Sequence, residues 1–107
     1  MNYRSDNDIR IITDILKQYV IDCEVWAFGS RYKGNNRKYS DIDLCIKGDG
    51  KLERRTIYKL ADAFEESDLP YRVDIADYHS VSDKFRAVIE SGHEVIYKPQ
   101  AATDNEL

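Results

Sequence analysis

The sequence predicts an α/β (α+β) fold, a mixed β-sheet with helices packed on it, and three observations lead there. Apolar residues recur at helical spacing in three separate stretches, while short runs between them alternate with the two-residue period of strands. A strand, a long helix and a second strand follow one another between residues 41 and 75, the succession of a right-handed crossover linking parallel neighbours. A chain of 107 residues with 42% apolar composition has room for one core and not for two.

The elements follow in order. Ser5, Asp6 and Asn7 are plausible caps, after which Ile9, Ile12, Ile15, Leu16, Tyr19 and Val20 keep helical spacing, predicting a helix over about 7–19. A strand over 24–28 ends in Gly29 and Ser30, and a short helix is expected at 31–33. Gly34, Asn35 and Asn36 signal a turn, and the loop leads to a strand over 41–46. Its link to the first strand is short enough for an antiparallel pair. Leu52, Thr56, Leu60, Ala63 and Phe64 line the apolar side of a helix over 52–67, stopped by Pro70. A strand over 71–75 carries Tyr71, Val73 and Ile75 on one face and Arg72 and Asp74 on the other, and the apolar residues around Asp74 promise its burial. Asp77, at the exit of this strand, suits a turn or cap. Ser82 caps a last helix with Phe85, Val88 and Ile89 inward and Gly92 as its stop, and 95–97 form a final short strand. Residues 1–98 thus form the domain; from 99 to 107 the chain turns polar and aperiodic and is expected to be disordered.

Chemistry concentrates in two places. In the strand from 41, Asp41, Asp43 and Cys45 share one face and Ile42, Leu44 and Ile46 the other. Two carboxylates side by side on a strand repel, and aspartate is a poor strand former, so the placement calls for a cation. Hard oxygen ligands point to magnesium or manganese. Gly29 and Ser30 stand where a strand turns into a helix: glycine lets a ligand approach the backbone, and a helix start attracts phosphate. A phosphate cradle opposite a carboxylate pair is the equipment of phosphoryl or nucleotidyl transfer. Read singly, Gly29 is a turn and the aspartates are solvated edge charges; together with Asp74 they make a site.

The combination of Gly29 and Ser30, a ten-residue gap and Asp41-Ile42-Asp43 resembles the signature of the polymerase-β-like nucleotidyltransferase superfamily. The flanking residues, Trp26-Ala27-Phe28 before it and Leu44 after, are most similar to its minimal nucleotidyltransferase (MNT) branch, and the likeness runs to about Tyr97. The resemblance implies that Asp41 and Asp43 hold two Mg²⁺ ions (Mn²⁺ as a substitute) and that Asp74 completes the catalytic set. It implies ATP as the nucleoside triphosphate, its phosphates held by Gly29 and Ser30 with Arg31 and Lys33 as charge partners. It further implies a helical HEPN protein encoded nearby as partner, which receives AMP on a tyrosine hydroxyl and is silenced, the chain being the antitoxin of a toxin–antitoxin pair. Nothing in the residues themselves selects the base; Tyr32 and Tyr39 either stack on it or cover the loop.

Composition narrows the alternatives. The net charge is −4, and the basic residues that cluster, Arg31, Lys33, Arg37 and Lys38, lie together between the two motif halves. That suits a local sink for triphosphate charge and makes nucleic acid an unlikely direct partner, since such binders spread basic groups over a face. Cys23 and Cys45 form no disulfide framework and read as small apolar fillers; His79 and His93 have no metal-ligand spacing and read as structural or exposed. No stretch is long and apolar enough to span a bilayer, and the N-terminus lacks an apolar signal core, so a cytoplasmic protein without membrane attachment is expected. Two further readings stay open: a nucleotidyltransferase acting on a small molecule or RNA end, and a noncatalytic partner-binding module.

Overall fold

The computed structural model describes residues 6–29 and 42–99. The expected short helix and basic loop between the motif halves, and the tail beyond Pro99, lie outside them. Seven elements appear in the order α1 (Asp6–Tyr19), β1 (Glu24–Phe28), β2 (Ile42–Lys47), α2 (Arg54–Glu65), β3 (Val73–Asp77), α3 (Asp83–Ser91) and β4 (His93–Tyr97). The strands form one mixed sheet in the order β3-β2-β1-β4. β1 pairs antiparallel with β2 and β4, and β2 pairs parallel with β3 across the α2 crossover.

The alternation of the strands gives the sheet two unequal faces. One face, bearing Val25, Ala27, Ile42, Leu44 and Ile46, meets Ile12 and Leu16 of α1 and Leu60 and Phe64 of α2 in the main core. At ~25 cal/mol per Å² of apolar surface removed from water, this is where most of the folding free energy arises. Trp26 and Cys45 point to the opposite face, where, among the described residues, they meet only Ile89 of α3 as a further buried side chain. Two hydroxyls tie the edges: Tyr71 donates to Asp8 at 3.3 Å, and Tyr97 donates to the Ile21 carbonyl at 3.1 Å. A register shift in the β1–β4 pairing leaves Ile96 as an extra residue, so both Ile96 and Tyr97 join the main core.

Where bounds differ from those expected, specific contacts account for it. α2 begins at Arg54 rather than 52 because the Leu52 amide donates to Asp77 Oδ2 at 2.9 Å, which holds residue 52 outside the helix. β3 runs two residues later than the 71–75 expected, because its ladder with β2 starts at Val73 opposite Ile42 and continues to Asp77 opposite Ile46. Ser82 caps α3 as expected, accepting from the Phe85 amide at 3.1 Å. The inward face of α3 is narrower than expected: Ile89 is buried, whereas Phe85 is 41% and Val88 57% exposed. This nine-residue helix has only the Trp26–Cys45 side of the sheet to lie on.

Candidate active site

Asp43 sits on the second face of β2, between two neighbours that the sheet places beside it. Across the antiparallel pair it lies opposite Phe28, and across the parallel pair opposite Asp74. Adjacent strands are ~4.8 Å apart, so the two carboxylates leave the same face of the sheet as close neighbours. The register expected of strands two and three is therefore found for Asp43 and Asp74, while Asp41 and Ser30, expected in the same patch, lie outside the described residues.

Gly29 follows Phe28 at the end of β1 with φ of +89°, a conformation costly to any residue with a Cβ. Its missing side chain has a second role, because a Cβ there would stand 2.7 Å from Oδ2 of Asp43. The glycine thus admits the carboxylate against the backbone at the turn where the phosphate cradle is expected.

Beside this pair, a cleft of about 340 Å³ is lined by Phe28, Asp43, Asp74, Ala76 and Phe85. Phe85 of α3 meets Phe28 edge to face with ring centroids 5.8 Å apart, forming one wall. The two aromatic residues were not singled out as site residues from sequence; Phe85 reads there as core, and its pairing with Phe28 depends on how α3 lies on the sheet. Asp74 differs from expectation in another way. Its apolar neighbours in sequence suggest burial, but its side chain is 42% exposed, because β3 is an edge strand. Arg72, two residues earlier on the same face, donates to Asp74 Oδ1 from Nε at 3.1 Å.

Several other titratable groups among the described residues hold the fold together. Asp77 is 5% exposed and accepts from the amides of Leu52 and His79 and from the Ser80 hydroxyl, fastening the turn after β3, as its position suggested. His79 Nε2 donates to the Gly48 carbonyl at 2.8 Å, and His93 Nδ1 donates to that of Ile89 at 3.0 Å while its ring stacks on Trp26. Both cysteines are free and buried. Burial, reinforced by Asp77, pushes the Cys45 thiol up to about 11, so this residue beside the carboxylates stays neutral and inert. Beyond Cys45, Lys47 and Arg86 stack over the Tyr78 ring and the Tyr78 hydroxyl donates to Glu90, a bond that raises its pKa.

The fit to divalent ions can be judged from the donors. Asp43 and Asp74 supply hard oxygens from two paired strands, with a glycine backbone against one of them, which suits magnesium or manganese. Among the described residues no group of three or more His, Cys, Asp or Glu gathers around one point; Asp41 lies outside them. Ser30, Arg31 and Lys33 lie outside them too. Among the described residues, no helix is long and apolar enough to cross a membrane.

Comparison with known proteins agrees with this geometry. The polymerase beta nucleotidyltransferase family model matches residues 10–102. The chain is 42% identical over 97 residues to a Haemophilus influenzae protein named "Probable protein adenylyltransferase MntA", covering 91% of this chain and 85% of that one. Among solved structures, a crystal structure of a toxin–antitoxin with AMP-PNP superposes with a TM-score of 0.72 at 22% identity, covering 89% of this chain and 77% of the other. A complex of tri-AMPylated Shewanella oneidensis HEPN toxin with MNT antitoxin superposes at 0.66 and 20% identity, covering 92% and 76%. Together with the in-register aspartates and the glycine at the end of β1, these matches place the chain in the polymerase β nucleotidyltransferase family, on its MNT branch, to which it belongs.

Proposed function

We propose that this chain transfers AMP from ATP to a tyrosine hydroxyl of a HEPN-type partner protein, in a reaction that depends on Mg²⁺, and that it thereby acts as an antitoxin in the cytoplasm. The observation that carries the reading is the Asp43–Asp74 pair set in register beside a glycine that only a bare backbone could occupy. The relatives support the remainder: one is named a protein adenylyltransferase, one structure contains AMP-PNP, and in another the HEPN toxin is AMPylated.

The residues divide the work as follows. Asp41 and Asp43 would hold the ions, and Asp74 would complete the set from β3. Gly29 and Ser30 bind the β- and γ-phosphates, with Arg31 and Lys33 neutralising their charge. Asp74 orients the acceptor hydroxyl and receives its proton as the oxygen bonds to the α-phosphorus and the bond from that phosphorus to the bridging oxygen breaks, releasing pyrophosphate. Bound divalent ions would supply Lewis acidity for the attacking oxygen and counter-charge for the departing one. The Phe28–Phe85 wall keeps water away from one side of the cleft.

The test is co-purification with the product of the adjoining gene, followed by intact-mass measurement after incubation with ATP and Mg²⁺. The partner should gain one AMP or a small multiple, and the gain should vanish with Asp43→Asn. A partner that binds and never gains mass, while a small molecule or RNA end is modified instead, refutes the assignment.

A further inference from the structure

Asp74 lies on the edge strand β3 and Arg72 immediately before it, two residues apart. Their contact is lopsided: Arg72 Nε and Nη2 each lie 3.1 Å from the same oxygen, Oδ1. In a fork-to-fork pair each donor takes its own oxygen. Here, among the described residues, Asp74 is held through Oδ1 only. The side chains are 74% and 42% exposed, so the pair stands in water, where such contacts are easily exchanged. The same two residues line a hollow of about 460 Å³ between β3 and α2, and Asp74 also lines the cleft that it shares with Asp43. Asp74 thus faces both hollows, and the guanidinium bound to it lines the larger one.

We propose that Arg72 is a charge-exchange residue of the transfer site: it neutralises Asp74 before cation and nucleotide arrive, then yields that carboxylate and turns its guanidinium to the incoming triphosphate. The proposal rests on the reading of Asp43 and Asp74 as the cation-holding pair. Three properties carry it. A divalent ion on Asp74 repels a guanidinium held against the same carboxylate. A long side chain that is 74% exposed can exchange one partner for another. A phosphate offers the planar fork a better acceptor than one carboxylate oxygen does. Arg72 in this role offsets carboxylate repulsion in the resting site without blocking it, and it makes nucleotide and cation favour each other's binding.

The role predicts effects of opposite sign, which a merely structural residue would not produce. Binding of Mn²⁺ alone, followed by electron paramagnetic resonance of the free ion, should tighten roughly two- to fivefold in Arg72→Gln, as expected for loss of an exposed competing pair. Binding of the non-hydrolysable analogue α,β-methylene-ATP in the presence of Mn²⁺ should weaken about tenfold in the same protein, as expected for loss of a charge-assisted hydrogen bond. Arg72→Lys keeps the charge and loses the fork, so it should bind Mn²⁺ like wild type and the analogue with intermediate affinity. Unchanged circular dichroism would confirm that these variants are folded. If Arg72→Gln weakens Mn²⁺ binding, Arg72 serves only to orient Asp74 and the proposal falls. It falls equally if analogue binding is unchanged. Asp43→Asn separates the two layers: a protein that still binds Mn²⁺ like wild type overturns the cation site itself, whereas one that loses Mn²⁺ leaves the Arg72 result to decide the exchange alone.

Discussion

A Cβ on Gly29 would lie 2.7 Å from the Asp43 carboxylate, so the glycine at the end of β1 and the aspartate on β2 share one small volume. Gly29→Ala therefore has two costs. The positive φ makes the backbone strained by about 1–2 kcal/mol, and the carboxylate must move by several tenths of an ångström. A misplacement of about 1 Å can cost on the order of 10²-fold in rate, so this smaller shift should cost roughly tenfold. Gly48→Ala is the natural control, because its Cβ would meet Cys23 Sγ at 2.9 Å, far in chemistry from the aspartates. It should lower the melting temperature yet leave transfer per folded molecule unchanged. Equal losses of activity in the two variants would show that Gly29 matters only for folding.

Asp77 should behave as a structural carboxylate in spite of its position three residues after Asp74. Its oxygens accept from the Leu52 and His79 amides and from the Ser80 hydroxyl. Asp77→Ala strands these donors in a buried turn and should destabilise the fold by about 2–4 kcal/mol. Urea unfolding reads this directly, while Mn²⁺ affinity measured below the transition should stay at the wild-type value.

On α3, neighbouring positions should differ sharply. Ile89 is fully buried against Trp26 and Cys45, so Ile89→Ala should cost about 2–4 kcal/mol. Val88 is 57% exposed, and Val88→Ala should stay within about 0.5 kcal/mol. Similar costs at the two sites would mean that α3 lies on the sheet by a different face.

Alkaline stability should report the thiol of Cys45. Its pKa, pushed up to about 11 by burial, exceeds the ordinary value of 9.0. Between these values the unfolded chain releases the proton and the folded chain keeps it, so stability is full below about pH 9 and falls as pH rises towards 11. The loss over that window is about 2–3 kcal/mol. Cys23, whose pKa is also raised by burial, adds to it in the same direction. Denaturant unfolding at two pH values in this window should show a shallower decline for Cys45→Ala, and identical slopes would remove the buried thiol as a cause.

Much of this architecture is legible in the sequence because periodicity and chemistry agree there. The β1 bounds, the α2 crossover, the antiparallel β1–β2 pair and the Ser82 cap all follow from local pattern. The register of Asp43 with Asp74 is suggested by the pattern and supplied by the pairing. What local pattern misreads depends on the rank of an element within the assembled sheet. Asp74 reads as buried because its neighbours are apolar, but an edge strand has no strand beyond it. Phe85 and Val88 read as core because they keep helical spacing with Ile89, but a short helix on a thinly covered face buries one stripe only. The starting point of α2 is set by Asp77, twenty-five residues from Leu52, and no local signal carries that distance.

The unequal coverage of the two sheet faces has a consequence for how such a protein can change over time. The side chains that secure the fold lie beneath the sheet, against α1 and α2, whereas Asp43, Asp74 and the cleft lie above it. On the proposed function, replacing an aspartate above the sheet should remove chemistry while leaving the foundation intact, so that a lineage could lose its activity without losing its fold. Descendants of this kind would stay abundant, keep their surfaces and remain available for binding alone. The same separation leaves the exposed rim of the cleft free to change by small steps, while Gly29 beside it and Ile89 of α3 stay fixed by the fold.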